Sequence, residues 1–330
     1  MSFALDCHGL TVAVTGDWPE VLDNVRLDFA WFARAPAPAR ADVTVRVHRR
    51  APDFDRFGAV PAAFVTPRNV VYQLGDRTVI DYFGRALAVR DETGALTIEG
   101  EEAHLVHEVA YLFLLSSIGA HLDAVGLPRL HALALSARSG AVAVMLPSGG
   151  GKSTLALRAL DDPDVKLLSE DSPLIDARGR LHPFPLRIGI NATDAERLPP
   201  EHVRRIERME FHPKLALDLA GFEDRIETEP RPIRHLVVGR RSLGRDATLE
   251  RLPRSAAAGA LLREAVVGVG IYQGMEFVLQ RGMRDTLAMG GVAAARTRSC
   301  AALLRRAEVW RLTVGRDHER NWQALRPLLT

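Results

Sequence analysis

Lysine is almost missing from this chain. Of its 43 basic residues only Lys152, Lys166 and Lys214 are lysines, and arginine fills the other positions. So pervasive an arginine content reads as a compositional habit rather than a binding surface. A lysine kept against it marks a place where a compact ammonium on a flexible stem is wanted. Cysteine is scarce as well. Cys7 and Cys300 are too few and too far apart for a disulfide scaffold, and neither has a metal-ligating neighbour at short spacing, which points to a reducing cytoplasm. Net charge is close to absent, at +2, and gives no push toward nucleic acid or an anionic membrane. No uninterrupted apolar stretch reaches bilayer length, and the start, Met1-Ser-Phe-Ala-Leu-Asp-Cys-His8, lacks the basic and apolar regions of an export signal. The expectation is a protein that is neither exported nor membrane-bound. What the chain does have is 330 residues, 47% hydrophobic and 25% charged, enough for two domains with proper cores.

The first part reads as strand-rich. Leu10–Val14, Val43–Val47, Asn69–Gln73, Thr78–Tyr82, Ala86–Val89 and Ala95–Ile98 are short apolar or alternating runs separated by turn signals, and the last four suggest a meander. A helix over Pro19–Phe32 interrupts them, opened by Pro19 and carrying Val21, Leu22, Val25 and Phe29 near helical spacing. Ala35–Asp42 reads as a linker. A longer helix comes next over Glu101–Val125, broadly apolar and stopped by Gly126-Leu-Pro128, and the domain boundary is set there: a strand-rich domain over 1–125 and a second domain over 126–330. From Leu130 the spacing predicts a hairpin turning at Ala137–Gly140, a helix over Lys152–Leu160, a strand over Val165–Ser169 and a second hairpin turning at Arg178-Gly179. Further on come a short helix near Asp194–Leu198, a solvated helix face over Arg204–Lys214, a strand over Ile233–Val238, an Ala-rich helix over Ser255–Val267 and a strand over Val309–Val314.

The centre of the second domain is Val144-Met-Leu-Pro-Ser-Gly-Gly-Gly-Lys-Ser-Thr154, an apolar strand running through three glycines into the start of a helix. This is a phosphate-binding loop. Ser148, Gly149, Gly150 and Gly151 let consecutive backbone amides curl round an anion, and the helix beginning at Lys152, Ser153 and Thr154 adds its positive end. Lys152 is placed for the β- and γ-phosphates of a nucleotide and the Ser153 hydroxyl for Mg²⁺. The motif's first glycine is replaced by Leu146. Pro147 holds its predecessor extended, so the strand can run one residue further before the glycines turn it. Beyond the loop, Glu170 and Asp171 end a short apolar strand, and phosphoryl transfer needs one carboxylate for the cation and another for the proton of the attacking hydroxyl. Adjacent residues of a strand face opposite ways, so the pair shares one site only if the strand stops there. His131, one hairpin before the loop, is set beside it by the strand pairing, and Arg187, after the rigid Pro183-Phe-Pro185 turn, can present a guanidinium to a transferring phosphate.

A histidine, a hairpin, the loop Ser148-Gly-Gly-Gly-Lys-Ser153, a helix and a strand ending in paired acids is an order that resembles the bacterial HPr kinase/phosphorylase catalytic domain, a relative of ATP-dependent phosphoenolpyruvate carboxykinase. The resemblance covers about residues 128–190. It implies an α/β (α+β) fold with a phosphate-loop kinase domain of that type behind the strand-rich domain. It also implies ATP and Mg²⁺ as cofactors, with Lys152 and the glycine amides on the phosphates, Ser153 and Asp171 on the cation, and Glu170 as base toward a serine hydroxyl. The chain departs from the family at Leu146, at Glu170 where the family has Asp, and in the signature glutamate, for which Pro185-Leu-Arg187 offers no counterpart. The implied activity is an ATP-dependent transfer to a hydroxyl of a peptide, a protein or a small molecule, with assembly into a homo-oligomer open and no nucleic-acid or membrane partner. An ATP-binding sensor without transfer is the alternative. A transporter ATPase is disfavoured, since no Leu-Ser-Gly-Gly-Gln segment is present and the acids come too soon after the loop.

Overall fold

A computed structural model of the chain describes residues 1–35, 40–208, 212–267 and 283–330. Parts of the Ala35–Asp42 linker and of the Arg204–Lys214 segment lie outside them. The architecture is mixed α and β, in two compact units. Met1–Ile118 and Arg204–Asp218 belong to the first, while Gly119–Val203 and the described residues beyond Asp218 form the body of the second.

The first unit is built on one sheet. Its strands are β1 (Ser2–Cys7), β2 (Leu10–Gly16), β3 (Ala33–Arg34), β4 (Val43–Arg49), β5 (Phe64–Val65), β6 (Val70–Leu74), β7 (Arg77–Asp81), β8 (Ala86–Arg90) and β9 (Leu96–Gly100), in the order β3-β1-β2-β4-β9-β8-β7-β6-β5. The meander expected from the four central runs is β6 to β9, each antiparallel to the next. Strand β1 carries no clean alternation and gives no strand signal of its own. It is set by its hairpin to β2, whose two turn residues, His8 and Gly9, both take positive φ, the twist such a turn requires. Helix α1 (Pro19–Asp28) starts at the proline and ends in a 3₁₀ turn over Ala30–Phe32.

Helix α2 (Ala103–Ala124) is apolar on every side. It is long and apolar enough to cross a membrane, but 72% of its most apolar window is buried inside the protein, as in a core helix. The division between units falls within it, after Ile118, rather than at the Gly126 turn that ends it.

The second unit begins with β10 (Leu133–Ala137), β11 (Gly140–Met145), α3 (Lys152–Asp161), β12 (Lys166–Ser169), β13 (Leu174–Ile175), β14 (Arg180–His182) and β15 (Ile188–Ile190). The chain then returns to the first unit through β16 (Val203–Ile206) and β17 (Lys214–Leu217). This corrects the solvated helix expected over Arg204–Lys214. Arg204 is turned inward, donating to both carboxylate oxygens of Asp218 at 2.8–3.1 Å, to Asp28 at 2.5 Å and to Asn24 at 2.9 Å. His107 shares Asp28 at 2.7 Å. Charge density along the sequence suggested water. The buried acids contributed by α1 and by the end of β17 decided otherwise.

Strands β18 (Arg231–Arg241), β19 (Thr248–Leu252) and β20 (Glu308–Val314) complete the second unit's sheet. Strand β18 is parallel to β11 on one side and to β20 on the other, and β10 and β12 extend the sheet beyond β11. Every residue of β11 is buried, as suits a central strand covered on both faces. One face shows Ala141, Ala143 and Met145 to a cluster with Ala257, Ala260, Leu261, Ala265 and Leu303, so small side chains let the helices approach closely. Helix α3 packs on β10 and β12. The Ala-rich helix expected over Ser255–Val267 is instead a 3₁₀ turn (Arg254–Ala257), one α turn (Ala258–Leu261) and a π turn (Leu262–Val267). Both cysteines are free and buried, and burial pushes their thiols up, Cys7 to about 12 and Cys300 to about 11, so neither is a ready nucleophile.

Two expectations test this frame. Replacing Arg204 by Leu leaves Asp28 and Asp218 buried without their shared cation, which costs roughly 3 kcal/mol by denaturant unfolding, with the loss confined by hydrogen exchange to the first unit. In the β13–β14 hairpin, burial alone would raise the Asp176 carboxyl. The Arg178 and Arg180 amides, the Arg180 guanidinium and His182 outweigh it and hold the group at about 2 against an ordinary 3.8. A depressed carboxylate stabilises the fold above its unfolded value, and the effect fades as pH falls from about 4 toward 2. Wild type and Asp176→Asn should therefore differ by roughly 2 kcal/mol at neutral pH and converge in acid.

Candidate active site at the glycine loop

The carboxyl ends of the parallel strands β11, β18 and β20 lie side by side, the place where open α/β sheets bind ligands. The glycine loop leaves β11 there. Gly149 and Gly151 take φ of 69° and 108°, conformations that side chains disfavour. A Cβ on Gly150 would stand 2.6 Å from the Pro147 carbonyl oxygen, which accepts the Gly150 amide at 2.8 Å. Gly151 caps α3, so the three glycines both bend the loop and open the helix end. Ser148 and Gly149 are exposed at its tip, and Thr154 is half-buried in the first turn of α3.

Leu146, standing where the motif has glycine, has its own compensation. It is buried, and a Cβ on Gly239 of β18 would lie 2.3 Å from Leu146 Cδ2. The glycine absent from the loop is thus matched by one in the neighbouring strand, which makes room for the leucine. The Leu146 carbonyl in turn accepts from Lys152 Nζ at 2.9 Å.

Lys152 is the hub. Its ammonium is buried, and besides Leu146 it donates to His131 Nε2 at 2.8 Å and lies 3.2 Å from Asp171 Oδ1. His131 stands between acids, with Nε2 3.1 Å from Asp171 Oδ1 and Nδ1 2.8 Å from Glu264 Oε2. Strand β12 ends at Ser169, so the two acids after it diverge. Asp171 goes to Lys152 and His131, and Glu170 accepts the Ser153 hydroxyl at 2.6 Å. The strand end thus lets both acids reach the loop, each on a different partner. The hydroxyl expected to share a cation with Asp171 is held by Glu170.

Electrostatics follow from this packing. For Asp171, which is only partly buried, desolvation works against the charge, but hydrogen bonds from His131 and Lys152 and their positive field outweigh it and hold the carboxyl below its ordinary range. Burial also opposes a charged His131, yet the hydrogen bond and charge of Asp171, helped by Glu264, lift the ring above its usual value against the repulsion of Lys152.

Arg187 is half-buried just before β15, a strand that packs against α3. Three further residues at the site escaped the sequence reading. Gly239 and Glu264 are far away along the chain and carry no local signal. Arg241 ends β18 and donates to the Gly149 carbonyl at 2.8 Å, and its position on a strand leading to the loop could have flagged it. Beyond it, the turns after β18 and β20 form an open cavity of about 430 Å³ lined by Arg245, Arg316 and Asp317. Among the described residues no group of three or more His, Cys, Asp or Glu side chains is arranged as a metal site. A phosphate-loop cation needs fewer protein ligands, because the hydroxyl, one acid, phosphates and water supply the rest.

No protein-family model and no curated protein matches this chain.

The Leu146–Gly239 pairing can be measured. Gly239→Ala should cost roughly 1–3 kcal/mol through overpacking, and Leu146→Ala about 2–5 kcal/mol through a cavity. Because the residues touch, the double variant should lose clearly less than the sum, and additive losses would refute the pairing.

Proposed function

We infer that the protein is an ATP- and Mg²⁺-dependent kinase that phosphorylates a hydroxyl group of a peptide, a protein or a small molecule, of the kind the HPr kinase resemblance implies. One observation carries this reading. The loop lysine, the loop serine, two carboxylates and a histidine converge at the carboxyl ends of parallel strands, and the acids are divided between Ser153 on one side and Lys152 with His131 on the other.

The residues fit a nucleotide's phosphates. The turn at Gly150 has no space for a Cβ, and Gly149 and Gly151 supply the positive φ that a backbone nest requires. Lys152 would meet the terminal phosphates, Ser153 and Glu170 would hold the cation, and Arg241 at the loop could add a second positive charge. ATP would supply the phosphoryl group and Mg²⁺ would screen its charge: the acceptor oxygen would bond to the γ-phosphorus as the bond to ADP breaks, and the acceptor's proton would pass to a carboxylate. Asp171 is the carboxylate assigned to that proton. It is 42% exposed, so an acceptor can reach it, and it sits beside the lysine that orients the phosphate. This exchanges the acids' roles relative to the sequence-based expectation, on the strength of the Ser153–Glu170 hydrogen bond.

The test is transfer from γ-labelled ATP to a pool of peptides and small hydroxyl compounds with wild type and three variants. Lys152→Ala should lower transfer at least a hundredfold. Asp171→Asn should abolish transfer and keep ATP binding, whereas Glu170→Gln should raise the Mg²⁺ concentration needed. The reverse pattern would restore the roles the resemblance implies, and ATP binding without transfer to any acceptor would make the protein a sensor.

A further inference from the structure

Glu264 meets neither the cation side of the site nor the acceptor side, and it is more deeply buried than Asp171. It is 5% exposed. Its Oε2 meets His131 Nδ1 at 2.8 Å, its own carbonyl accepts the His131 amide at 3.1 Å, and Arg263 Nε donates to its other carboxylate oxygen at 2.7 Å. It sits in the π turn Leu262–Val267, which follows a single α turn where composition predicts a regular helix. Such turns change which side chains point inward, and they recur at functional sites.

The chemistry of the contacts assigns the ring protons. A carboxylate only accepts, so the nitrogen facing Glu264 carries a hydrogen. An ammonium only donates, so the nitrogen facing Lys152 must offer its lone pair to keep that contact. A neutral ring protonated at Nδ1 meets both demands, while Asp171 Oδ1, 3.1 Å from Nε2, asks for a hydrogen that only the doubly protonated ring supplies. When the ring gains a second proton, Nδ1 still donates to Glu264, and Nε2 turns its hydrogen toward Asp171 at 3.1 Å. In either state Glu264 decides which nitrogen faces the phosphate site.

We propose that Glu264 is a positioning residue for the nucleotide site: by fixing the His131 proton on Nδ1 it presents the Nε2 lone pair that holds the Lys152 ammonium at the loop. The inference rests on the nucleotide-binding part of the proposed function and does not depend on phosphoryl transfer. Without Glu264, a neutral His131 is free to carry its proton on Nε2, which points a hydrogen at the ammonium and removes one of three contacts that orient it.

The experiment uses the full chain labelled with ¹⁵N-histidine, with the His131→Asn spectrum to assign the resonances, together with titrations of ATP and AMP. In wild type the neutral ring should be protonated at Nδ1. In Glu264→Ala it should shift toward the Nε2-protonated form, with ATP affinity falling about tenfold. AMP affinity should stay within about twofold, because Lys152 serves the distal phosphates. Glu264→Gln, whose amide oxygen also accepts, should retain the wild-type tautomer and ATP affinity, and it decides the matter if the alanine variant does not fold. A wild-type ring protonated at Nε2, equal losses for ATP and AMP, or a folded Glu264→Ala with unchanged ATP affinity would each overturn the proposal. If wild type binds ATP but transfers it to nothing, the kinase reading fails and this one stands. If wild type binds no ATP, both fail.

Discussion

The ammonium of Lys152 sits inside the protein with little water, and the site is arranged around that fact. A buried cation must be matched by acceptors, or it loses its charge or destabilises the fold. Three are supplied: the Leu146 carbonyl, His131 Nε2 and Asp171. Each comes from a different part of the second unit. The carbonyl belongs to the residue just after β11, the imidazole to the segment before β10, and the carboxylate to the segment just after β12. The requirement propagates outward, because His131 accepts well only when its other nitrogen is held, which is what Glu264 does. One buried charge therefore ties the loop, the hairpin and the π turn into a single hydrogen-bonded set.

The same reasoning explains why Lys152 is not an arginine. Arginine carries a wide planar fork that suits exposed pairs with Glu and Asp, and this chain uses it for most of its ion pairs. A guanidinium cannot take the place of a compact ammonium among three acceptors at 2.8–3.2 Å from one nitrogen. Arg204 shows the complementary case in the first unit, where the fork spans two carboxylates and an amide.

Two local irregularities mark where the fold has been adjusted to the site. Leu146 displaces the loop's first glycine, and Gly239 absorbs it in the next strand. A π turn stands where a regular helix is expected, and it carries Glu264, which meets His131. Neither would be expected from an idealised version of this sheet, and local rules tend to be broken where function requires it.

The linear order of residues was enough to reveal the loop, the helix after it, the acids at a strand end and the meander of the first unit. In each case the determining forces are local: glycine's freedom, the period of apolar residues and the turn chemistry between strands. It also placed His131 beside the loop, since a hairpin pairs its strands in known register. Contacts across long separations were beyond its reach. Glu264 lies 133 residues from His131, Gly239 faces Leu146 only because β18 runs parallel to β11, and Arg204 is drawn inward by acids in other elements. Which acid met Ser153 and which met Lys152 was likewise settled by the tertiary structure, because the chain past Ser169 leaves its strand and no two-residue period governs it.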